Sequence, residues 1–187
     1  MADVNPCLKN AIQWSMQLVL TLALLPSLTA CGNGGEPADT AGPEAGSDPG
    51  IVETVDVTLK GQTFSLELAL DHASRIQGLS DRKSIAEDGG MLFIFPRPVQ
   101  TMFQMRRCYV PIDVVFIDED GYIDSLHAMQ VIEPIGSPRW KNPASGYPTA
   151  GPILYAIELA GGKIEELGLR RGEKVELPEA VLQLEAQ

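Results

Sequence analysis

Cysteine is scarce in this 187-residue chain, with only Cys7, Cys31 and Cys108 present. Cys7 and Cys31 sit near the N-terminus, so Cys108 stands alone in the remainder and an internal disulfide framework is excluded there. Histidine is scarcer still: His72 and His127 are the only two, which leaves few imidazoles for acid–base work. Positive charge is short overall, with 14 Lys and Arg against 25 Asp and Glu, a net charge of -11. Such a chain repels phosphate backbones, so nucleic acid is not expected as a partner. No apolar run reaches the roughly 20 residues of a membrane-spanning helix. The common enzyme signatures are missing too: no Ser nucleophile elbow, phosphate-binding Gly loop, paired-Cys zinc spacing or zinc-protease motif.

The longest apolar stretch, residues 16–28, has the length of a signal-peptide core. It is followed by Leu28-Thr29-Ala30-Cys31, which resembles a bacterial lipobox, the short small-residue strip before a lipidated cysteine. Residues 1–30 are therefore expected to be a lipoprotein signal peptide and Cys31 the lipidation point. Firm anchoring takes more than one acyl chain, at about 0.8 kcal/mol per buried methylene. From residue 31 to 56 the chain carries Glu36, Asp39, Glu44, Asp48, Glu53 and Asp56 with no Lys or Arg. Residues 31–50, rich in Gly, Pro, Ala, Ser and Thr, cannot bury enough apolar surface to offset chain entropy. They are expected to form a disordered acidic tether.

Residues 51–180 read as one domain, with 181–187 as a tail. Residues 51–59 alternate apolar and polar, Lys60-Gly61-Gln62 turns, and Phe64, Leu66, Leu68 and Leu70 resume the alternation, which is a hairpin pattern. Asp71 is placed to cap a short helix to about Leu79. Ser84-Ile85-Ala86-Glu87 has the form of a capping box and predicts one more turn. The apolar run Met91–Phe95 reads as a central strand ended by Pro96 and Pro98. Strands are expected over 101–106 and 110–117, and from Tyr122 to Val131 after the Asp118-Glu119-Asp120-Gly121 turn. Residues 133–151 read as a long surface loop. Strands at 154–159 and 174–177, and a helix at 162–167 capped by Gly168, complete the list. The resulting class is mainly β, a compact β-sandwich or partly open barrel with two short helices.

Several blocks, taken in order, resemble the bacterial and archaeal DUF192 family. They are Arg75-Ile-Gln-Gly78-Leu79-Ser-Asp-Arg82, Asp88-Gly-Gly-Met91-Leu-Phe93-Ile-Phe95, and the stretch from Phe103 through Met105, Arg106, Cys108, Pro111, Asp113 and Phe116 to Asp118, with Gly121. Tyr155-Ala-Ile-Glu158-Leu, Gly161-Gly162, Gly168 and Gly172 follow later. The resemblance spans about residues 52–178. It implies a compact β-sandwich, often exported, without an established reaction. Where the family commonly has Phe-Trp-Met-Lys-Asn-Thr, this chain has Phe103-Gln-Met105-Arg106-Arg-Cys108.

The charged residues within these blocks are the first candidates. They are Arg75, Arg82, Arg106 and Asp113, and the pair Arg75 and Arg82 could grip a carboxylate or phosphate with bidentate bonds. In the alternative, which we favour, Asp113 pairs with Arg75 or Arg82 and locks the Pro111 bend against the helix, because charges in apolar blocks need partners. Cys108, flanked by Arg106 and Arg107, is a nucleophile candidate; a small buried cysteine is the commoner state. Met91, Met105, Met129, His127 and Cys108 suit copper(I), although methionines at alternating strand positions are more often core filler. In the 133–151 loop, Trp140, Tyr147 and Arg139 offer a recognition surface, unless Trp140 folds back over the sheet edge. The sequence thus favours a non-catalytic envelope module, anchored to a membrane through Cys31 and binding an envelope ligand or protein, with no cofactor assigned. The alternatives are a small enzyme using Asp113 with Arg75 or Arg106, or Cys108, and a copper binder.

Overall fold

A computed structural model of the chain describes residues 53–187; the expected signal peptide, Cys31 and the expected tether over 31–50 lie outside the described residues. The elements in order are β1 (Thr54–Leu59), β2 (Gln62–Ala69), α1 (His72–Gln77), β3 (Gly89–Val99), β4 (Met102–Phe103), β5 (Ile112–Ile117), β6 (Ile123–Met129), α2 (Pro138–Lys141), β7 (Tyr147–Pro148), β8 (Ile153–Ala160), α3 (Lys163–Leu167) and α4 (Glu179–Leu182). Six strands form one sheet in the order β1-β2-β3-β8-β5-β6, and β4 and β7 form a second, two-stranded sheet. The mainly β class therefore holds in a sandwich-like form, with no closed barrel among the described residues.

Local chemistry explains the hairpins. Lys60 and Gly61 both take positive φ (50° and 85°), the signature of a two-residue turn whose twist matches the strands, and Leu59 pairs Gln62 across it. Between β5 and β6, Asp118 Oδ1 accepts from the Asp120 and Tyr122 amides at 3.0 and 2.8 Å, closing the turn. Helix α1 starts at Asp71, whose carboxylate accepts from the Ala73 and Ser74 amides while Ser74 returns a bond to the Asp71 backbone. This helix carries the chain across to β3, and β2 and β3 pair in parallel, the one parallel pair in an otherwise antiparallel sheet. Nothing in the alternation of β2 or β3 announced that pairing.

Strands β3, β5 and β8 are covered on both faces. One face presents Val57, Phe64, Leu66, Leu92, Ile94, Val115, Ile117 and Ile157, packed against Leu169, Val175 and Val181 of the C-terminal segment. The other presents Met91, Phe93, Ile112, Val114, Phe116 and Ala156, packed against Leu79, Met105 and Cys108, with Phe103 and Tyr147 of the small sheet partly covering them. The Phe103 ring meets Phe93 and Phe116 edge-on, each with centroids 5.0 Å apart.

Six expectations need correction. Pro96 and Pro98 do not end β3; it runs on to Val99 through an irregularity between Ile94 and Val99 in which residues 95–98 have no partner in β8, so the prolines forfeit no bond to that strand. Ser84–Glu87 forms no helix, because the Gly89 amide turns back onto the Ala86 carbonyl and the strand begins at once. The 101–106 strand shrinks to two paired residues, since the Arg106 amide bonds Gln104 in a tight turn. Residues 174–177 make only an isolated bridge, Tyr122 to Lys174. The 133–151 stretch is structured: Ser137 caps α2, with Pro138 in its first turn, and β7 pairs with β4. Residues 181–187 are also part of the fold, with Val181 buried and the Gln187 amide donating to Leu70.

Candidate ligand-binding pocket

Between α1, the end of β3, β4 and the 104–108 segment lies a pocket of about 360 Å³. Leu79, Phe93, Phe95 and Phe103 give it apolar walls, and Glu158, Cys108 and Ser80 also line it. Such a size and mixture, mostly apolar with a few convergent polar groups, is that of a small-molecule site.

Glu158 is the unusual member. It sits in central β8, directly between Met91 of β3 and Val114 of β5, and is only 6% exposed. Burial raises its carboxyl to about 7; the Leu79 amide, donating to Oε2 at 3.2 Å, and the Arg82 charge pull the other way. No hydrogen bond reaches Oε1 from the described residues. Gly78 keeps the space in front of the carboxyl open: a Cβ there would lie 3.2 Å from Oε2 and 3.4 Å from the Phe93 ring. Its φ of 50° with ψ of -142° is a conformation that glycine alone adopts readily.

The loop carrying Gly78 and Leu79 is tied down on two sides. Arg82 grips Glu67 of β2 with a bidentate pair at 2.5 and 2.6 Å. Asp81 and Arg107, both at positive φ, are joined side chain to side chain at 2.7–2.9 Å, and the Asp81 amide donates to the Arg107 carbonyl. The Arg107 guanidinium accordingly holds the Asp81 carboxyl below its usual range.

Cys108 lies against this floor, 4% exposed, with Sγ donating to the Arg106 carbonyl at 3.4 Å. Burial first, then the nearby Glu158 and Asp81 carboxylates, push its thiol up to about 12, against smaller opposing effects of Arg107 and the Ser80 hydroxyl. It is the buried, unreactive kind of cysteine. Arg75 spends its guanidinium on the Leu70, Ile94 and Gln187 carbonyls and lies 5.6 Å above the Phe95 ring.

The residues singled out from sequence thus fall into three places. Arg75, Arg106 and Cys108 line the pocket, and Arg82 stands behind it on Glu67. Met105, Trp140 and Tyr147 line a smaller neighbouring cavity of about 200 Å³. Trp140 does fold back: it is 5% exposed, and its Nε1 donates to the Cys108 carbonyl at 2.8 Å. Asp113 is on the opposite face of the sheet and pairs with no arginine. Its Oδ2 instead accepts from the Gly162 and Ile164 amides at 3.0 and 2.7 Å, fixing the start of α3. A glycine precedes that helix and offers no side-chain cap, so a carboxylate from β5 supplies one. Met91, Met129 and Cys108 are packed in the same apolar cluster, and His127 hydrogen-bonds the Pro148 carbonyl through Nε2 at 2.8 Å. Among the described residues, no three His, Cys, Asp or Glu side chains gather as a metal site. Sequence reasoning missed Glu158 as a site residue, although a lone acid inside the apolar run of β8 was the signal.

The sequence pattern of DUF192, described only as uncharacterized, matches residues 55–177. The chain belongs to the DUF192 family. No curated protein matches this DUF192 member. Two solved structures are similar to it. A candidate transcription regulator from Sinorhizobium meliloti is 33% identical, with a TM-score of 0.53 over 65% of this chain and 88% of that one. A protein of unknown function from Novosphingobium aromaticivorans is 28% identical, with a TM-score of 0.58 over 77% of this chain and all (100%) of that one.

Proposed function

We propose that this DUF192 protein is an exported, lipid-anchored module of the cell envelope that binds a small ligand and is not an enzyme. The observation that carries the binding role is the pocket itself, apolar in its walls with one buried, incompletely satisfied carboxyl at its floor. Family membership brings no reaction with it. Support for a non-catalytic role comes from the groups available. Asp113 is 1% exposed and occupied with α3, and Cys108 has a thiol pushed up to about 12. Support for the anchor comes from the apolar run 16–28 and Leu28-Thr29-Ala30-Cys31.

Native mass spectrometry of the protein extracted gently from its own membranes tests the binding role. A reproducible adduct of a few hundred daltons, absent when Gly78 is replaced by leucine, is the expected result. A clean apo mass on repeated extraction, with no small molecule restoring an adduct, overturns it. Labelled palmitate incorporation, lost in Cys31→Ser, tests the anchor.

A further inference from the structure

Resting on the pocket reading above, we propose that the ligand is an organic ammonium compound: a single positively charged amine on an apolar body, held head-inward by Glu158. The geometry leads there in three steps. First, Oε1 of the Glu158 carboxyl accepts no bond from the described residues and opens onto the pocket, while Gly78, whose Cβ would lie 3.2 Å from Oε2 and 3.8 Å from Oε1, leaves room beside the carboxyl. A largely buried carboxyl whose free oxygen faces a pocket gains most from a charged donor entering that pocket. Second, no cation of the protein hydrogen-bonds Oε1, and Arg82 acts on the carboxyl through its charge alone. Arg82 is engaged by Glu67 and Arg75 by three backbone carbonyls. An ammonium brings three N–H donors and the missing charge together. Third, the walls suit a cation with a hydrocarbon stem. Phe93, Phe95 and Phe103 line the pocket, and the Arg75 guanidinium over Phe95 shows one of these rings already facing a positive group. Ile76 and Met102, 53% and 50% exposed, lie along the same pocket and extend the apolar lining outward.

The other charged and titratable groups around Glu158 set the limits. Arg82 and Cys108 approach it from the loops over the floor, while His72 and Arg75 of α1, Arg97 of β3 and Arg106 line the pocket further out. The flanking strand neighbours Met91 and Val114 are uncharged. Arg97 and Arg106 have no ion-pair partner among the described residues, so they repel a second positive charge and confine the ligand to one, at its buried end. With the Glu158 carboxyl near 7, its ionised fraction rises about tenfold between pH 6 and pH 8, and ammonium affinity rises with it by about the same factor.

The test is calorimetric titration of the full chain in lipid nanodiscs, with empty nanodiscs as the blank, using 4-phenylbutylamine, 4-phenylbutan-1-ol and 4-phenylbutyrate. At pH 8 the amine should bind at least about tenfold tighter than the alcohol, and that preference should shrink about tenfold at pH 6. Glu158→Gln should erase the preference for the amine over the alcohol and its pH dependence. Should that variant fail to fold, the pH comparison on the unaltered protein decides. Equal binding of amine and alcohol at pH 8 overturns the ammonium assignment while leaving the pocket intact, as does tightest binding by the carboxylate. Silence from all three at millimolar concentration removes the binding pocket itself.

Discussion

Glu158→Gln replaces the buried carboxyl with a neutral amide of nearly the same shape, and its effect on stability can be worked through. In the folded protein the Glu158 carboxyl stands at about 7 rather than its ordinary 4.5, because burial disfavours the charged form. Below about pH 4.5 the group is protonated whether the chain is folded or not, and it carries no pH-dependent cost. Between 4.5 and 7 the unfolded chain releases the proton while the folded one keeps it, so the unfolded state gains and stability falls as pH rises. Above 7 the loss is complete. At about 1.4 kcal/mol per pH unit, it amounts to about 3 kcal/mol, or roughly 10 °C in Tm for a domain of this size. The amide does not titrate, so the variant escapes the loss. Urea unfolding of both proteins at pH 5, 6, 7 and 8 is the assay. The wild-type midpoint should fall away from that of the variant as pH increases. Surface carboxylates held low by their partners, such as Asp81 and Glu173, titrate in both proteins and cancel in the comparison. Parallel curves from pH 5 to 8 would refute the claim that Glu158 is buried without a compensating partner.

Asp113→Ala removes the acceptor for the Gly162 and Ile164 amides and should cost about 2 kcal/mol in denaturant unfolding, with Asp113→Asn milder because one oxygen remains. Gly90→Ala should prevent folding, as judged by lost near-UV dichroism, since the new Cβ would lie 2.3 Å from the Glu158 carbonyl oxygen and 2.9 Å from Leu66. Cys108, in a chain with Cys7 and Cys31 changed to serine, should react with a disulfide reagent at pH 8 at least about a hundredfold more slowly folded than in denaturant. Fast labelling of the native protein would show the thiol to be accessible.

Where sequence reasoning worked, the signal was local. Lys60-Gly61 and Asp118–Gly121 dictate their hairpins through turn geometry, and Asp71 caps α1 as its position implied. Where it failed, the deciding contact was remote. The parallel pairing of β2 with β3 and the insertion of β8 between β3 and β5 join residues far apart in the chain, and period-2 alternation carries no record of which strand lies alongside. Asp113 illustrates the same limit. Its need for partners was readable from an apolar neighbourhood, yet the partners are backbone amides about 50 residues on, which no side-chain inventory reveals. The pocket was half legible. Arg75, Arg106 and Cys108 were identified, but Glu158, the group that gives the pocket its chemistry, passed unnoticed within a strand block.

The large sheet separates two chambers that share no side chains. Each strand sends alternate residues into one or the other, so an exchange on the side of Leu169 and Val175 does not touch the walls around Phe93. Substitutions in the two chambers should therefore contribute independently. The framework thus keeps a foundation on one side that can stay fixed while the recess on the other is reshaped.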